Sequence, residues 1–203
     1  GIKAAAKTRW GTDDLSGRTI AVQGCGKVAY YLSRHLHEDG ARIIATDIDP
    51  ERVQKFREEF GARSVAPDEI YDVVADVYAP CALGATLNDN TIPRLKVEVI
   101  AGGANNQLAD EDRHGQMVEE RGLLYAPDFV INGGGLINVY GELEGWTQER
   151  ALRKAQEIYD TILTIFAIAG REKIPTNRAA DRVAEERIGA FGRLSRMWIG
   201  GDR

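Results

Sequence analysis

The chain has 203 residues, enough for one large domain or a domain with an appendage, and at that size about 70% of the unfolded surface is buried without help from disulfides or metals. Hydrophobic residues make up 43% and charged residues 28%, a globular rather than a disordered composition. A formal net charge of −5 with no basic block argues against nucleic acid or an anionic membrane as partner, and two cysteines are too few for a disulfide framework and fit a reducing compartment.

The chain opens Gly1-Ile2-Lys3-Ala4-Ala5-Ala6-Lys7, helical in propensity and without an initiator Met, which predicts an entry in mid-helix with further sequence upstream. No secretory leader is visible, and the apolar stretch Ile162 to Ala169 is too short for a membrane span, so a cytoplasmic location without membrane attachment is expected. Ile20 to Gly24 reads as a buried strand. From Lys27 to Glu38, Val28, Tyr31, Leu32 and Leu36 recur at helical spacing before Gly40. Ala41 to Thr46 is a second strand, ending at Asp47; Pro50 opens a charged helix that Gly61 closes. Further strands are predicted over Val73 to Ala79, Val97 to Ala101 and Leu123 to Ala126, with a helix over Glu111 to Arg121.

This alternation, with nearly continuous apolar strands, predicts an α/β fold: a Rossmann-like, doubly wound, mostly parallel sheet with C-terminal helices. After Gly133-Gly134-Gly135 the pattern is helical only. A helix from Gln148 to Ile168 carries Leu152, Ala155, Tyr159, Ile162, Phe166 and Ala169 on one face, and a last one runs from Asn177 to Leu194 with Thr176 as its cap. The expected division is a dinucleotide-binding domain over 1–146, with 1–16 as a linking helix, and a helical segment over 147–203 packed on it. Residues 189–203, with Phe191, Leu194, Met197 and Trp198 among arginines, read as a docking tail or a frayed end.

Gly24-Cys25-Gly26-Lys27-Val28-Ala29 follows the first strand and opens the first long helix. In such a G-x-G-x-x-A the first glycine permits a tight turn, the second admits a pyrophosphate, and the small third residue lets helix and strand pack closely. The helix N-terminus then offers free N–H groups to the phosphates. Asp47, 23 residues after Gly24, stands where a carboxylate meets the adenosine ribose and repels a 2′-phosphate, which favours NAD over NADP. The competing reading has Asp47 capping the next turn, with Asp49 equally available. Cys81 lacks a histidine nearby in sequence to activate it: His35 and His37 are expected on the wrong side of the motif and His114 on another surface helix. The three histidines show no metal-site spacing, so no metal is expected.

Four segments, in order, resemble the C-terminal, NAD-binding part of the Glu/Leu/Phe/Val dehydrogenases, most of all the leucine dehydrogenases: Val22 to Ala29, Tyr78 to Thr86, Ala101 to Leu108 and Tyr125 to Asn132. The resemblance implies that Ala79, Pro80, Cys81, Ala82 and Asn105 face the nicotinamide half of the cofactor, that Asn132 stands beside the reacting centre, and that Leu136 and Val139 line a pocket for the substrate side chain. It implies NAD-dependent, reversible oxidative deamination of an aliphatic L-amino acid to its 2-oxo acid. Leu136 and Val139 are three apart on one helical face, suited to an aliphatic group or else to packed core. The chain departs from the family's common pattern at Gly134 and Leu136, where alanine and valine are usual, and one methylene is worth only about 1–3 kcal/mol of discrimination, so the particular amino acid stays open.

The same resemblance places the catalytic lysines in an N-terminal substrate domain, the one acting as base in a Gly-Gly-Lys-type segment. None of Lys3, Lys7, Lys27, Lys55, Lys96, Lys154 and Lys173 sits in one, so no catalytic residue is expected in this chain. The substrate domain would then be a missing partner, beside the small-molecule substrate and further copies of the chain in a homo-oligomer. Two rival readings are a nucleotide-sensing module without catalysis and an oligomerisation module using the apolar face of the 148–168 helix.

Overall fold

In the computed structural model the described residues are 1–198, with side chains described as far as Gly189. The expectations for the 189–203 tail therefore lie almost wholly outside the described side chains. Six strands form one sheet in the order β3-β2-β1-β4-β5-β6, every described pair parallel. They are β1 (Thr19–Gln23), β2 (Arg42–Thr46), β3 (Arg63–Ser64), β4 (Val77–Pro80), β5 (Val99–Ile100) and β6 (Leu124–Tyr125). This is the doubly wound order, with the direction of winding reversing between β1 and β4. Ile20, Ala21, Val22, Val77, Tyr78 and Ala79 have no exposed surface, as strands covered on both faces must.

Eight helices clothe the sheet among the described residues: α1 (Ile2–Trp10), α2 (Lys27–Glu38), α3 (Pro50–Phe60), α4 (Glu111–Glu120), α5 (Asp128–Ile131), α6 (Gly134–Leu143), α7 (Gln148–Glu172) and α8 (Thr176–Trp198). No described helix is long and apolar enough to cross a membrane. The expected bounds of α2 and α3 hold to the residue, because both have unambiguous local ends. Asp49 caps α3, its Oδ1 accepting from the N–H of Glu51 at 2.9 Å and of Arg52 at 3.4 Å, and Gly61 closes it in the left-handed region.

Several expectations need correction. The strand predicted from Val73 starts at Val77, since β1 begins at Thr19 and nothing upstream of Asp76 has a β1 residue to pair with. Asp76 instead closes that end of the sheet, accepting from Thr19 N–H and Arg18 at 2.7 Å each. The two-residue edge strand β3 was not anticipated. The buried stripe of α2 is Ala29, Ser33 and Leu36, with Leu32 packed beside the core, whereas Val28 and Tyr31 are exposed: two small residues share the inward face and let the helix lie close. The helix predicted to end at Ile168 runs on through Gly170 to Glu172, and Thr176 is the first residue of α8 rather than its cap, the Pro175 carbonyl accepting from Ala179 N–H.

The apolar face of α7 is covered within the chain. Ile162, Ile165, Phe166, Ile168 and Ala169 are buried, with α7 packing against α1, α5, α6 and α8. Of the expected face, Leu152 is exposed and Ala155 and Tyr159 are only half-buried.

Ser33 is fully buried in α2 and its hydroxyl has no partner among the described residues. An unmade hydrogen bond of this kind costs about 1–3 kcal/mol. Ser33→Ala is therefore expected to raise stability by about 1 kcal/mol. Urea unfolding midpoints of the two proteins measure the change; a lower midpoint for the variant would show that the hydroxyl is satisfied.

Candidate functional site

The carboxyl ends of β1, β2, β4 and β5 are sewn together by backbone bonds. Gly24 N–H donates to Thr46 at 2.8 Å, Cys81 N–H to Gln23 at 2.7 Å and Ala104 N–H to Pro80 at 2.9 Å. Two glycines make this possible. Gly24 has φ +91°, and a Cβ on it would stand 2.9 Å from the Ala82 nitrogen; a Cβ on Gly102 would overlap Pro80. The loops after β1 and β4 thus touch at the point where the sheet reverses, the place where open α/β sheets bind ligands.

A cleft of about 740 Å³ opens there, lined by Gly24, Gly26, Asp47, Ile48, Arg52, Cys81, Ala82 and Leu83 among others. Gly26 occupies the N-cap position of α2 and no side chain caps it, so the first turn of α2 presents unpaired N–H groups and the positive end of its dipole. Asp47 follows β2 directly. Its Oδ2 accepts the Cys25 N–H at 2.6 Å and its Oδ1 the Asp49 N–H at 2.9 Å. A carboxylate has about four acceptor positions, so two remain for a ligand. Both readings left open by the sequence have a counterpart: Asp47 holds the glycine loop and also closes the turn to Asp49, Asp49 caps α3, and both line the cleft.

A second cleft, about 600 Å³, lies on the other flank of α2. Val28, Gly103, Asn105, Asn132 and Gly134 line its upper part, and the Asn132 side-chain amide donates to Asn105 Oδ1. Asp47 thus lines one cleft and the Asn105–Asn132 pair the other.

Of the other expected site residues, Cys25 and Ala29 are buried under the glycine loop, and Lys27 is exposed at the first helical position, lining neither cleft. Ala79 and Pro80 are buried in β4 and line neither cleft, and Cys81 and Ala82, expected on the same half as Asn105, line the cleft of Asp47 instead. Leu136 and Val139 are 76% and 54% exposed on α6 and lie outside both clefts, on an apolar strip with Tyr140 and Leu143. His35, expected on the wrong side, lines the far end of the second cleft. His114 is buried rather than on the surface, its Nδ1 accepting the Asp110 N–H at 2.9 Å. Ile48 and Leu83, 91% and 88% exposed, and Arg52 were missed; the cue available for the first two was an aliphatic residue beside each strand-end motif.

Residues 47–193 match the family model for Glutamate/Leucine/Phenylalanine/Valine dehydrogenase. The chain belongs to this family. It is 60% identical to a leucine dehydrogenase of Bacillus cereus over 191 residues, covering 94% of this chain and 52% of that protein. A leucine dehydrogenase of Geobacillus stearothermophilus is 58% identical over 188 residues, with 93% and 51% covered. The crystal structure of L-tryptophan dehydrogenase from Nostoc punctiforme superimposes with a TM-score of 0.92 at 49% identity, covering 95% of this chain and 57% of that one. The chain spans about half the length of the relatives it matches.

Neither cysteine of this family member is poised as a nucleophile. Burial pushes the Cys81 thiol from 9 up to about 11. Burial, then the charge of Asp47, pushes Cys25 up to about 12. Only the thiolate attacks, so both should react with a disulfide reagent at pH 8 roughly a hundredfold or more slower than after unfolding, accelerating as pH rises toward 11. Rapid labelling of the native chain at pH 8 would contradict this.

Proposed function

We propose that this chain is the cofactor-binding part of an NAD-dependent amino acid dehydrogenase acting on an aliphatic L-amino acid. The observation that carries the reading is the Asp47 carboxylate held against the glycine loop, beside an uncapped helix N-terminus, at the reversal point of the sheet. The fit to a dinucleotide can be tested on the cradle itself. A Cβ at Gly26 would meet nothing within 4 Å, so the space above it is open to a pyrophosphate, whereas Gly24 is closed off by Ala82 and only shapes the turn. Gly26 and the first N–H groups of α2 would hold the pyrophosphate, Asp47 the adenosine ribose, and Ile48 and Leu83 the edges of the adenine pocket.

The negative charge at Asp47 opposes a 2′-phosphate. Arg52 lies in the same cleft but is ion-paired to Asp49 at 3.1 Å, which leaves little net positive charge to attract one. Asn105 and Asn132 supply amide donors and acceptors on the nicotinamide side, where they would orient a carboxamide and a substrate polar group. The chemistry that bound NAD supplies is acceptance of a hydride from the substrate α-carbon. The exposed apolar strip of α6 offers an aliphatic side chain a surface and a charged one nothing. These residues bind and orient; a general base for the attacking water would have to come from another part of the enzyme, and losing such a group costs typically 10²–10⁴-fold in rate.

A sensing module would explain the glycine turn and Asp47 equally well. The paired asparagines across the second cleft favour the dehydrogenase reading. Charge-assisted bonds to a carboxylate contribute about 1.5–3 kcal/mol, so Asp47→Ala is expected to weaken NAD⁺ binding about 10–100-fold in calorimetric titration. Parent-like affinity would remove Asp47 from the site. The isolated chain with NAD⁺ and L-leucine is expected to bind the former and form no NADH; turnover at a rate near that of a full-length relative would contradict the division of labour.

A further inference from the structure

Gln107 and Asp128 line neither of the two clefts, yet they are fully and almost fully buried and are bonded to each other. Gln107 Nε2 donates to the carbonyls of Gly102 at 2.9 Å and Ala104 at 3.0 Å, and so grips the loop after β5 from within. Its backbone N–H donates to Asp128 Oδ2 at 2.8 Å. Asp128, the first residue of α5, takes the Phe129 N–H on Oδ1 at 2.8 Å, and its own N–H donates to the Tyr125 hydroxyl at 3.2 Å.

The bonds therefore tie the β5 loop to the start of α5. Those two segments carry Asn105 and Asn132. The bond between the two asparagines cannot hold their positions unaided: Asn105 is exposed, and a bond made in reach of water is worth only about 0.5–1.5 kcal/mol. The buried carboxylate and carboxamide are costly to desolvate, more so because Gln107 Oε1 has no partner among the described residues. Apolar residues of similar volume would bind the two segments together at lower cost. What polar groups add is a fixed offset between loop and helix.

We infer that Gln107 and Asp128 are positioning residues that set where Asn105 and Asn132 stand in the second cleft, and with them the nicotinamide half of the dinucleotide. The inference rests on the reading given under Proposed function. It makes the two halves of the cofactor site separable: the adenosine side depends on Gly24, Gly26 and Asp47, the nicotinamide side on a clamp that touches no ligand.

Two substitutions keep shape and loosen the clamp at different points: Asp128→Asn weakens the tie between loop and helix, while Gln107→Met leaves that backbone bond in place and removes the grip within the loop. Asp128→Asn turns an NH₂ toward one of the two N–H donors it now accepts. Gln107→Met keeps length and loses both donors to the loop. The readout is saturation-transfer NMR of NAD⁺ on the chain, taking nicotinamide ring signals relative to adenine signals, together with calorimetric affinity for ADP-ribose. Both variants are expected to bind ADP-ribose as the parent does while the nicotinamide-to-adenine ratio falls about threefold or more, the consequence of losing one or two hydrogen bonds. The adenine signal reports folding in the same sample. An unchanged ratio, or equal losses of ADP-ribose and nicotinamide contact, would overturn the positioning role. A parent chain that binds neither ligand would overturn the dinucleotide reading and this inference with it.

Discussion

The structure turns on the backbone of Gly24 lying against the backbone of Ala82. At φ +91° and with Ala82 2.9 Å from where a Cβ would be, the residue can only be glycine. That approach lets the β1 and β4 ends share the Cys81–Gln23 bond, and brings the Gly26 turn to the lip of the cleft. A single methyl group at Gly24 would force the β1 and β4 loops apart at the point where the sheet reverses.

Around it, local stability is given up in a consistent direction. The helix α3, which binds nothing in the proposed site, has a full set of end signals: Asp49, Pro50 and Gly61. The helix α2, whose N-terminus faces the cleft, has no capping side chain and carries Lys27 at the dipole's positive end. An arrangement that is unfavourable for the empty helix becomes favourable once an anion sits at its N-terminus. Places where local rules fail in an otherwise consistent sequence are where function is expected.

Much of this was legible in sequence, because it rests on local chemistry. The strand, glycine turn and helix around 20–38, the Pro50 to Gly61 helix and Asp47 at a strand end each follow from residues within a few positions of one another. What was not legible depends on partners distant in the chain. The start of β4 is fixed by where β1 begins, and β3 exists only because β2 offers an edge. Large apolar residues marked the inward face of α2 only in part: Leu32 and Leu36 pack inward, while Ala29 and Ser33 make the close contact and Val28 is left to line a cleft. His114 looked like a surface residue until Asp110, four positions earlier, turned it inward as the acceptor for its own N–H. Gln107 and Asp128 lie within segments that resemble the family, but nothing in the sequence gave them a role until the β5 loop meets α5.

The most direct test of the account is a titration of the nitrogen-labelled chain with NAD⁺, followed by backbone amide resonances. The account predicts saturable shifts centred on the amides of Cys25, Gly26, Lys27 and Val28, extending to Asp47 and Ala82. Shifts that do not saturate, or that map away from the junction of β1, β2 and β4, would contradict it.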